Sequence, residues 1–319
     1  MYNPATGKTI KWTDIIAASV EGDRKESTNY YNILGMDELE IKILQNNHDD
    51  MIEYVNVGAG IGGGFAHTLE LKVMKFNEAM NGTDREAWNE EVKKEHQQMV
   101  SNGVFEPVPF VQLPKGIKLI DTTWAMKKKS SGTLRGRVNV RGFRQVEGEH
   151  YDGSSISAPV TNAMTIKMCL MLMLMQRGIV HVVDIKGARL YGEFKDGEKV
   201  YVKVPQGFED FYDKGMALLL KKTLYKLKQA VMAFYRKLLA AMVNIGLKQS
   251  LANPCLYYKW VDGKLIIMIS WIDDNMIIGP SELVMQLKGD LMQQFECDDC
   301  GCLEEYVGNK IEYIGNDAI

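Results

Sequence analysis

No apolar run in this 319-residue chain is long enough to cross a bilayer. The longest, MCLMLMLM at 168–175, falls far short of the roughly 20 residues a spanning helix needs, and Lys167 and Arg177 flank it closely. The start, MYNPATGKTIKW, has neither the apolar segment nor the small-residue cleavage site of a secretory leader. Cysteine is scarce. Cys169, Cys255, Cys297, Cys300 and Cys302 are odd in number and unevenly spaced, which argues against a disulfide framework and for free thiols in a reducing compartment. Internal repeats and long low-complexity linkers are missing as well. These absences exclude a membrane span and a secreted disulfide scaffold, and leave the expectation of a soluble intracellular protein that is not secreted.

What is present is ordinary in bulk and uneven in detail. The chain is 46% hydrophobic and 25% charged, as globular proteins are, and its length suggests about two domains. The net charge of −3 hides a segregation. Residues 115–144 carry Lys115, Lys118, Lys127, Lys128, Lys129, Arg135, Arg137, Arg141 and Arg144 against one acid, Asp121. Residues 221–237 add six more basic side chains and no acid, and the tail after 281 is acidic. Single lysines and arginines usually sit on solvated faces, but fifteen in two segments favour a polyanionic partner.

The periodicities predict an α+β fold with an antiparallel sheet. A helix is expected over 83–100, capped by Thr83 with Glu86 as its box partner and burying Trp88, Val92 and Met99. Strands follow in GVFEPVPF, IKLIDTTWAMKKK and LRGRVNVRGF. A buried methionine-rich helix spans 158–178, and its methionines read as core packing. IVHVVDI (179–185) reads as a central strand and 199–208 as a strand that turns. A helix over 227–246 stops at Gly246. CLYYKWVDGKLIIMISW (255–271) reads as a hairpin turning at Asp262-Gly263. NMIIG adds a strand, Ser281 caps a helix over 281–295, and EEYVGNKIEYIG closes with a strand. Residues 1–65 read as a flexible lead-in.

Two aspartates, Asp273 and Asp274, interrupt the apolar stretch ISWIDDNMIIG. Asp-Asp-Asn is good turn chemistry, so a plain hairpin turn is one reading. The other is that adjacent carboxylates face one divalent ion, for which oxygen ligands suit Mg²⁺. Asp184, in HVVDIKGA, also ends an apolar strand; it too reads as a strand-end turn or as a ligand. If strand 179–185 lies beside the 264–279 hairpin, three carboxylates converge at one sheet edge. That arrangement suits two-metal phosphoryl transfer.

At this point the chain resembles a family. WIDDN resembles the aromatic-Val-Asp-Asp box of reverse transcriptases, and VDIKGARLYGEF their VDVKGAFLHG-type box. RGRVNVRGFRQVEGEHYD, SAPVT, VYVKVPQGFE, LYKLKQAVMAFY and CDDCGCLEEYVGNKI follow the order of the polymerase domain of copia-type LTR retrotransposons. The resemblance covers about 70–315. It implies an RNA-directed DNA polymerase of two-metal type, with fingers at about 85–178, a palm at about 179–300 and the start of a thumb after it. It assigns Asp184, Asp273 and Asp274 as catalytic ligands of two Mg²⁺ ions, with Mn²⁺ able to substitute. Arg135, Arg137, Arg141, Ile185, Arg189, Lys228 and Gln229 are then the nucleotide- and template-binding set. The implied partners are an RNA template, a DNA primer, deoxynucleoside triphosphates and the RNase H and integrase domains of a polyprotein, which this chain lacks. The implied location is a cytoplasmic retroelement particle or the nucleus.

Departures from the family pattern accompany the match. Five residues after Asp184 the family has an aromatic, which in retroviral relatives screens the 2′-hydroxyl of the incoming nucleotide; here it is Arg189. Lys226 replaces a glycine, a costly exchange if that glycine serves a positive φ. Phe234 replaces a tryptophan, and Arg135-Gly136-Arg137-Val138-Asn139 replaces a Lys/Arg-Ala-Arg-Leu-Val run. These departures keep open a second reading, a catalytically inactive remnant, cut from a longer polyprotein or gene copy, that still binds nucleic acid. A third reading, a dinucleotide-binding oxidoreductase, rests only on Gly58-x-Gly60-x-x-Gly63, after which FAHTLELKVMKFNEAM does not supply the required helix and acidic strand end. Cys297-x-x-Cys300-x-Cys302 lacks the fourth ligand of a structural zinc site, and His67, His96, His150 and His181 show no partner pattern.

Overall fold

A computed structural model describes residues 2–3, 8–9, 73–128, 132–176, 178–303, 305–306 and 309–310. In chain order its strands are β1 (Tyr2–Asn3), β2 (Lys8–Thr9), β3 (Phe105–Pro109), β4 (Thr122–Lys128), β5 (Leu134–Val140), β6 (Ile179–Ile185), β7 (Tyr201–Lys203), β8 (Met216–Leu220), β9 (Lys248–Gln249), β10 (Leu256–Val261), β11 (Lys264–Trp271), β12 (Asp274–Gly279), β13 (Cys297–Cys302), β14 (Glu305–Tyr306) and β15 (Asn309–Lys310). The helices, relabelled in order, are α1 (Phe76–Met80), α2 (Arg85–Ser101), α3 (Ala163–Gln176), α4 (Ala230–Asn244) and α5 (Ser281–Gln294). The fold is mixed α and β with antiparallel sheets, as the periodicities predict. Among the described residues, no helix is long and apolar enough to cross a membrane. The Gly58–Gly63 motif lies outside the described residues.

The chain divides into two compact units that interleave in sequence. The first holds Pro159–Lys186 and the described part of Leu239–Ile319. Its six-stranded sheet runs β13-β6-β12-β11-β10-β9, every neighbouring pair antiparallel. Strand side chains alternate between faces. Val180, Val182, Met276, Ile278, Ile267 and Ile269 therefore share one face, where they pack with Met168, Cys169, Leu172 and Met173 of α3. The methionine-rich segment is core, as its sequence suggests. The other face carries His181, Val183 and Ile277 and is covered by α5, which lies against β6 and β12 and buries Val284, Leu287, Lys288 and Leu291.

A lysine in that buried stripe needs partners. Lys288 Nζ lies 2.6 Å from Asp299 Oδ2 and 2.8 Å from His181 Nδ1, and the neutral His181 ring accepts. Burial, then the Lys288 charge, lowers the His181 pKa. Cys302 Sγ is 3.7 Å from the other ring nitrogen. The sequence shows no partners for His181; its partners come from a helix and a strand more than a hundred residues on.

The second unit holds the described residues from 73 to Ala158 together with Gly187–Leu238. It contains the sheet β3-β8-β7 and the pair β4-β5. Trp88, Val92 and Met99 of α2 are buried together with Trp124, Met126, Val138 and Leu218. Glu95 falls on the same helix face and is 7% exposed. Its Oε1 accepts from Val138 N at 3.1 Å, satisfying an outward N–H of β5 that has no strand beside it. Burial raises its pKa from 4.5 to about 7.

Two helix starts differ from expectation. Residue Asp84, not Thr83, precedes α2, and no side chain caps it; the Asp84 carboxylate is taken by Lys128 Nζ at 2.6 Å. Ser281 is the first residue of α5 rather than its cap, because Pro280, with φ −58° and ψ 141°, occupies the cap position. Other expectations hold closely. Asp262 and Gly263, at φ 50° and 73°, form the two-residue turn between β10 and β11, the pattern of a type I′ hairpin. Lys226 adopts φ 68°, the left-handed conformation that a glycine there would take freely.

Two predictions follow from these positions. Lys226→Gly should raise stability by about 1 kcal/mol, since a side chain in the left-handed region costs that much; Lys226→Ala should leave it unchanged in the same urea titration. Glu95 titrates near 4.5 unfolded and near 7 folded. The folded state therefore holds a proton that the unfolded state has released between those values. Its contribution is full below about 4.5 and falls by about 3 kcal/mol as pH rises through about 7. Glu95→Gln keeps an acceptor for Val138, so urea midpoints across that range should show a shallower decline in the variant than in the native chain.

Candidate active site

The three aspartates singled out in the sequence come together in the first unit. The β6–β12 register sets Asp184 directly opposite Asp274, and it sets Val182 opposite Met276 on the same face. Asp273 sits in the two-residue turn between β11 and β12, where Trp271 pairs with Asp274. The turn is clamped from two sides. Asp273 O accepts from Ile185 N at 2.9 Å and from Asn275 Nδ2 at 2.8 Å. Ile185 itself is buried, so its side chain packs while its N–H ties the end of β6 to the turn.

The other central turn residue, Ile272, has φ 57°. A β-branched residue there is strained by roughly 1–3 kcal/mol, and this first central position of a tight hairpin is one where glycine is usual when φ is positive. Beneath the turn, the buried Tyr306 hydroxyl donates to Ile269 O at 3.1 Å, with Asp274 O 3.4 Å away. Burial holds that phenol well above its usual pKa.

The electrostatics follow from the crowding. Burial, then the charges of Asp273 and Asp184, raise Asp274 from 3.8 to about 7. Asp298 on β13 lies in register with Asp184 on its other side, so Asp298, Asp184 and Asp274 form a row across three strands. Lys186 Nζ balances that row, 2.8 Å from Asp298 and 3.6 Å from Glu296. Asp298 and Lys186 escaped the sequence reading, because only the sheet order brings β13 alongside β6. Cys297 is pushed up to about 11, chiefly by burial. Burial and the Asp184 charge also raise Cys300. Among the described residues, no group of three or more His, Cys, Asp or Glu side chains is arranged to hold a metal ion.

The basic residues assemble in the second unit. Asn139 of β5 bridges to Tyr225 in parallel, and Val140 N donates to Tyr225 O at 3.0 Å. The two basic segments of the sequence therefore meet backbone to backbone. Arg137 lies 4.7 Å and Arg189 6.0 Å from the centroid of the Tyr225 ring, so Tyr225 gathers two cations from distant segments. Arg135 is exposed, while Arg137, Arg141 and Arg189 are half-buried. Asp121, the single acid of the first basic segment, pairs with Arg144 and with Lys203, the latter at 2.8 Å.

Lys228 Nζ bonds Tyr151 Oη at 2.7 Å and lies over its ring. Gln229 is buried, and both ends of its amide have protein partners: it accepts from Gln145 Nε2 and donates to His150 O, each at 2.9 Å. Here Gln229 locks the 145–151 loop.

Comparison with known proteins bears on this geometry. The family model described as "Reverse transcriptase (RNA-dependent DNA polymerase)" matches residues 105–318. The retrovirus-related Pol polyprotein from transposon TNT 1-94 of Nicotiana tabacum is 30% identical over 243 residues, 74% of this chain and 18% of the relative. The Pol polyproteins from transposons RE2 and RE1 of Arabidopsis thaliana are 25% and 26% identical over 236 residues, in each case 72% of this chain and 16% of the relative. This chain thus spans under a fifth of the length of those relatives. The match reaches from β3 past the carboxylate turn to residue 318, and on it this chain belongs to the reverse transcriptase (RNA-dependent DNA polymerase) family, in the copia-type branch.

Proposed function

We propose that the chain performs RNA-directed DNA synthesis, with Asp184, Asp273 and Asp274 as its catalytic carboxylates. The observation that carries this reading is the register of β6 against β12, which sets Asp184 opposite Asp274 beside the turn that holds Asp273. In the reaction the primer 3′-hydroxyl attacks the α-phosphate of a deoxynucleoside triphosphate, and pyrophosphate leaves. Residues from about 85 to 178 serve as fingers and from about 179 to 300 as palm, with the start of a thumb after them.

The donor set suits hard divalent ions. Its ligands are all oxygen; burial, then the charges of Asp273 and Asp184, raise Asp274, and a divalent cation held there would relieve the charge repulsion. Asp184, Asp273 and Asp274 would hold two Mg²⁺ ions, or Mn²⁺ in their place. Bound there, such ions stabilise charge on the attacking and leaving oxygens. The Ile185 N–H and the Asn275 amide hold the turn in place for that task.

Arg135, Arg137, Arg141 and Lys228 bind the triphosphate and the nucleic-acid backbone, where charge-assisted contacts are strongest. Gln229 acts at one remove, by fixing the 145–151 loop. The template is RNA, the primer DNA, and the working context a Pol polyprotein with RNase H and integrase domains in an intracellular retroelement particle.

A second reading, an inactive remnant that binds nucleic acid, is favoured by Arg189, whose guanidinium lies toward Tyr225 with that of Arg137. Primer extension on poly(rA)/oligo(dT) with dTTP separates the two. We expect extension in Mg²⁺ or Mn²⁺ that Asp273→Asn/Asp274→Asn lowers by at least about a hundredfold, as loss of transition-state electrostatics does. Activity only in Arg189→Phe identifies a polymerase blocked at its nucleotide pocket, and silence from both with RNA still bound supports the remnant. Independently of turnover, Mg²⁺ should raise the thermal midpoint of the native chain and leave the double variant unmoved.

A further inference from the structure

The most exposed phenylalanine among the described residues sits where the two basic segments join. Phe143 is 76% exposed, in the short 3₁₀ turn Gly142–Arg144. A single exposed apolar residue means little by itself. This one differs in its mounting and in its neighbours.

The mounting is rigid. Arg141 N donates to Asp121 O at 2.9 Å, Arg144 N to Arg141 O at 2.8 Å and Gln145 N to Gly142 O at 3.1 Å. The Arg144 guanidinium pairs with Asp121. Gln145 is 5% exposed and bonds both Lys228 N and Gln229. Gly142 lies so close to the second segment that a Cβ there would come within 2.0 Å of the Lys226 carbonyl oxygen. The backbone N–H groups of Arg141, Arg144 and Gln145 are thus all engaged, which lowers the ordering cost a ligand must meet.

The neighbours are cations. Arg144 follows Phe143 and Arg141 precedes it by two residues, the backbone of the exposed Lys226 lies against Gly142, and Lys203 shares Asp121 with Arg144. That is four basic side chains against one acid. A flat π surface held open among cations matches one ligand chemistry: an unpaired base, with a phosphate on either side of it. Base–aromatic stacking tolerates any base and supplies affinity that the charges alone do not.

We propose that Phe143 is a stacking platform for one unpaired base of single-stranded nucleic acid, with Arg141, Arg144 and Lys226 meeting the flanking phosphates. In the polymerase reading, on which the assignment of that strand as template rests, it grips the template ahead of copying.

The test is equilibrium binding of the full chain to a short fluorescent single-stranded RNA and to its abasic counterpart, without metal or nucleotide, across a salt series. Phe143→Ala should weaken RNA binding by about 5- to 100-fold, the loss expected for one stacked base. It should do so with unchanged salt slope and unchanged thermal midpoint, and should abolish the preference for RNA over the abasic ligand. Phe143→Trp should restore binding and show indole quenching. Binding by Phe143→Ala equal to the native chain overturns the proposal. So does an equal loss on both ligands, a native chain that binds neither, or an effect confined to self-association. Primer extension measured in parallel keeps the two readings apart. Extension that persists while Phe143→Ala binds RNA normally sinks the platform alone. Absent extension with a Phe143-dependent base preference sinks the polymerase and leaves the platform standing.

Discussion

The antiparallel register between β6 and β12 is the constraint on which the site depends. Two strands nearly ninety residues apart in sequence meet so that Asp184 faces Asp274. The Ile185 N–H then reaches one residue further, to the Asp273 carbonyl. Side-chain direction in a strand has a period of two. The register that buries Val180, Val182, Met276 and Ile278 against α3 therefore also puts both carboxylates on that face, just beyond the apolar run. Hydrophobic packing aims the acids, and the acids resist the arrangement: burial, then the neighbouring carboxylates, raise Asp274. The stability of the apolar face holds the carboxylates closer than their charges favour.

The same unit treats its two faces differently. On the α3 side the sheet is apolar until the carboxylates begin. On the α5 side His181 and Lys288 are buried near Val284, Leu287 and Leu291, and Lys288 reaches from there to the exposed carboxylate of Asp299. Lys288 is the buried charge here, and leaving its ammonium without the Asp299 and His181 acceptors would be costly. In the other unit Glu95 plays a comparable part, giving an unpaired strand edge an acceptor.

Much of this was legible in the sequence, for stated reasons. The β6 and β11–β12 segments are short β-branched runs bounded by turn residues, and the Asp262-Gly263 turn carries its own geometry. The departure at Lys226 pointed to a positive φ, and φ is positive there. The helix starts were misplaced because capping chemistry is local while its competitors are not: Asp84 is drawn to Lys128, and Pro280 takes the position ahead of Ser281. Residues that act through tertiary pairing left no local trace. Asp298 enters the carboxylate row only through sheet order, Tyr225 gathers Arg137 and Arg189 from segments far apart in sequence, and Gln229 binds a loop some eighty residues earlier. Lys288 did leave a signal, since it occupies an apolar stripe position of its helix, but nothing nearby in sequence names its partners.

The loop between β11 and β12 has a bearing on how this chain can vary. With only Ile272 and Asp273 between the paired residues Trp271 and Asp274, it has no slack. Substitutions in and around it change size or charge and leave every strand where it was. Adding or removing one residue would instead rotate the whole of β12 by half a pleat, sending Asp274 toward α5 and turning Asn275 toward α3. Side chains around the loop can therefore differ and keep the carboxylates aligned. A single in-frame codon gained or lost in the hairpin would erase that alignment at once. Chain length between the strands is the property under the tightest physical constraint, more so than the identity of any neighbour of the acids.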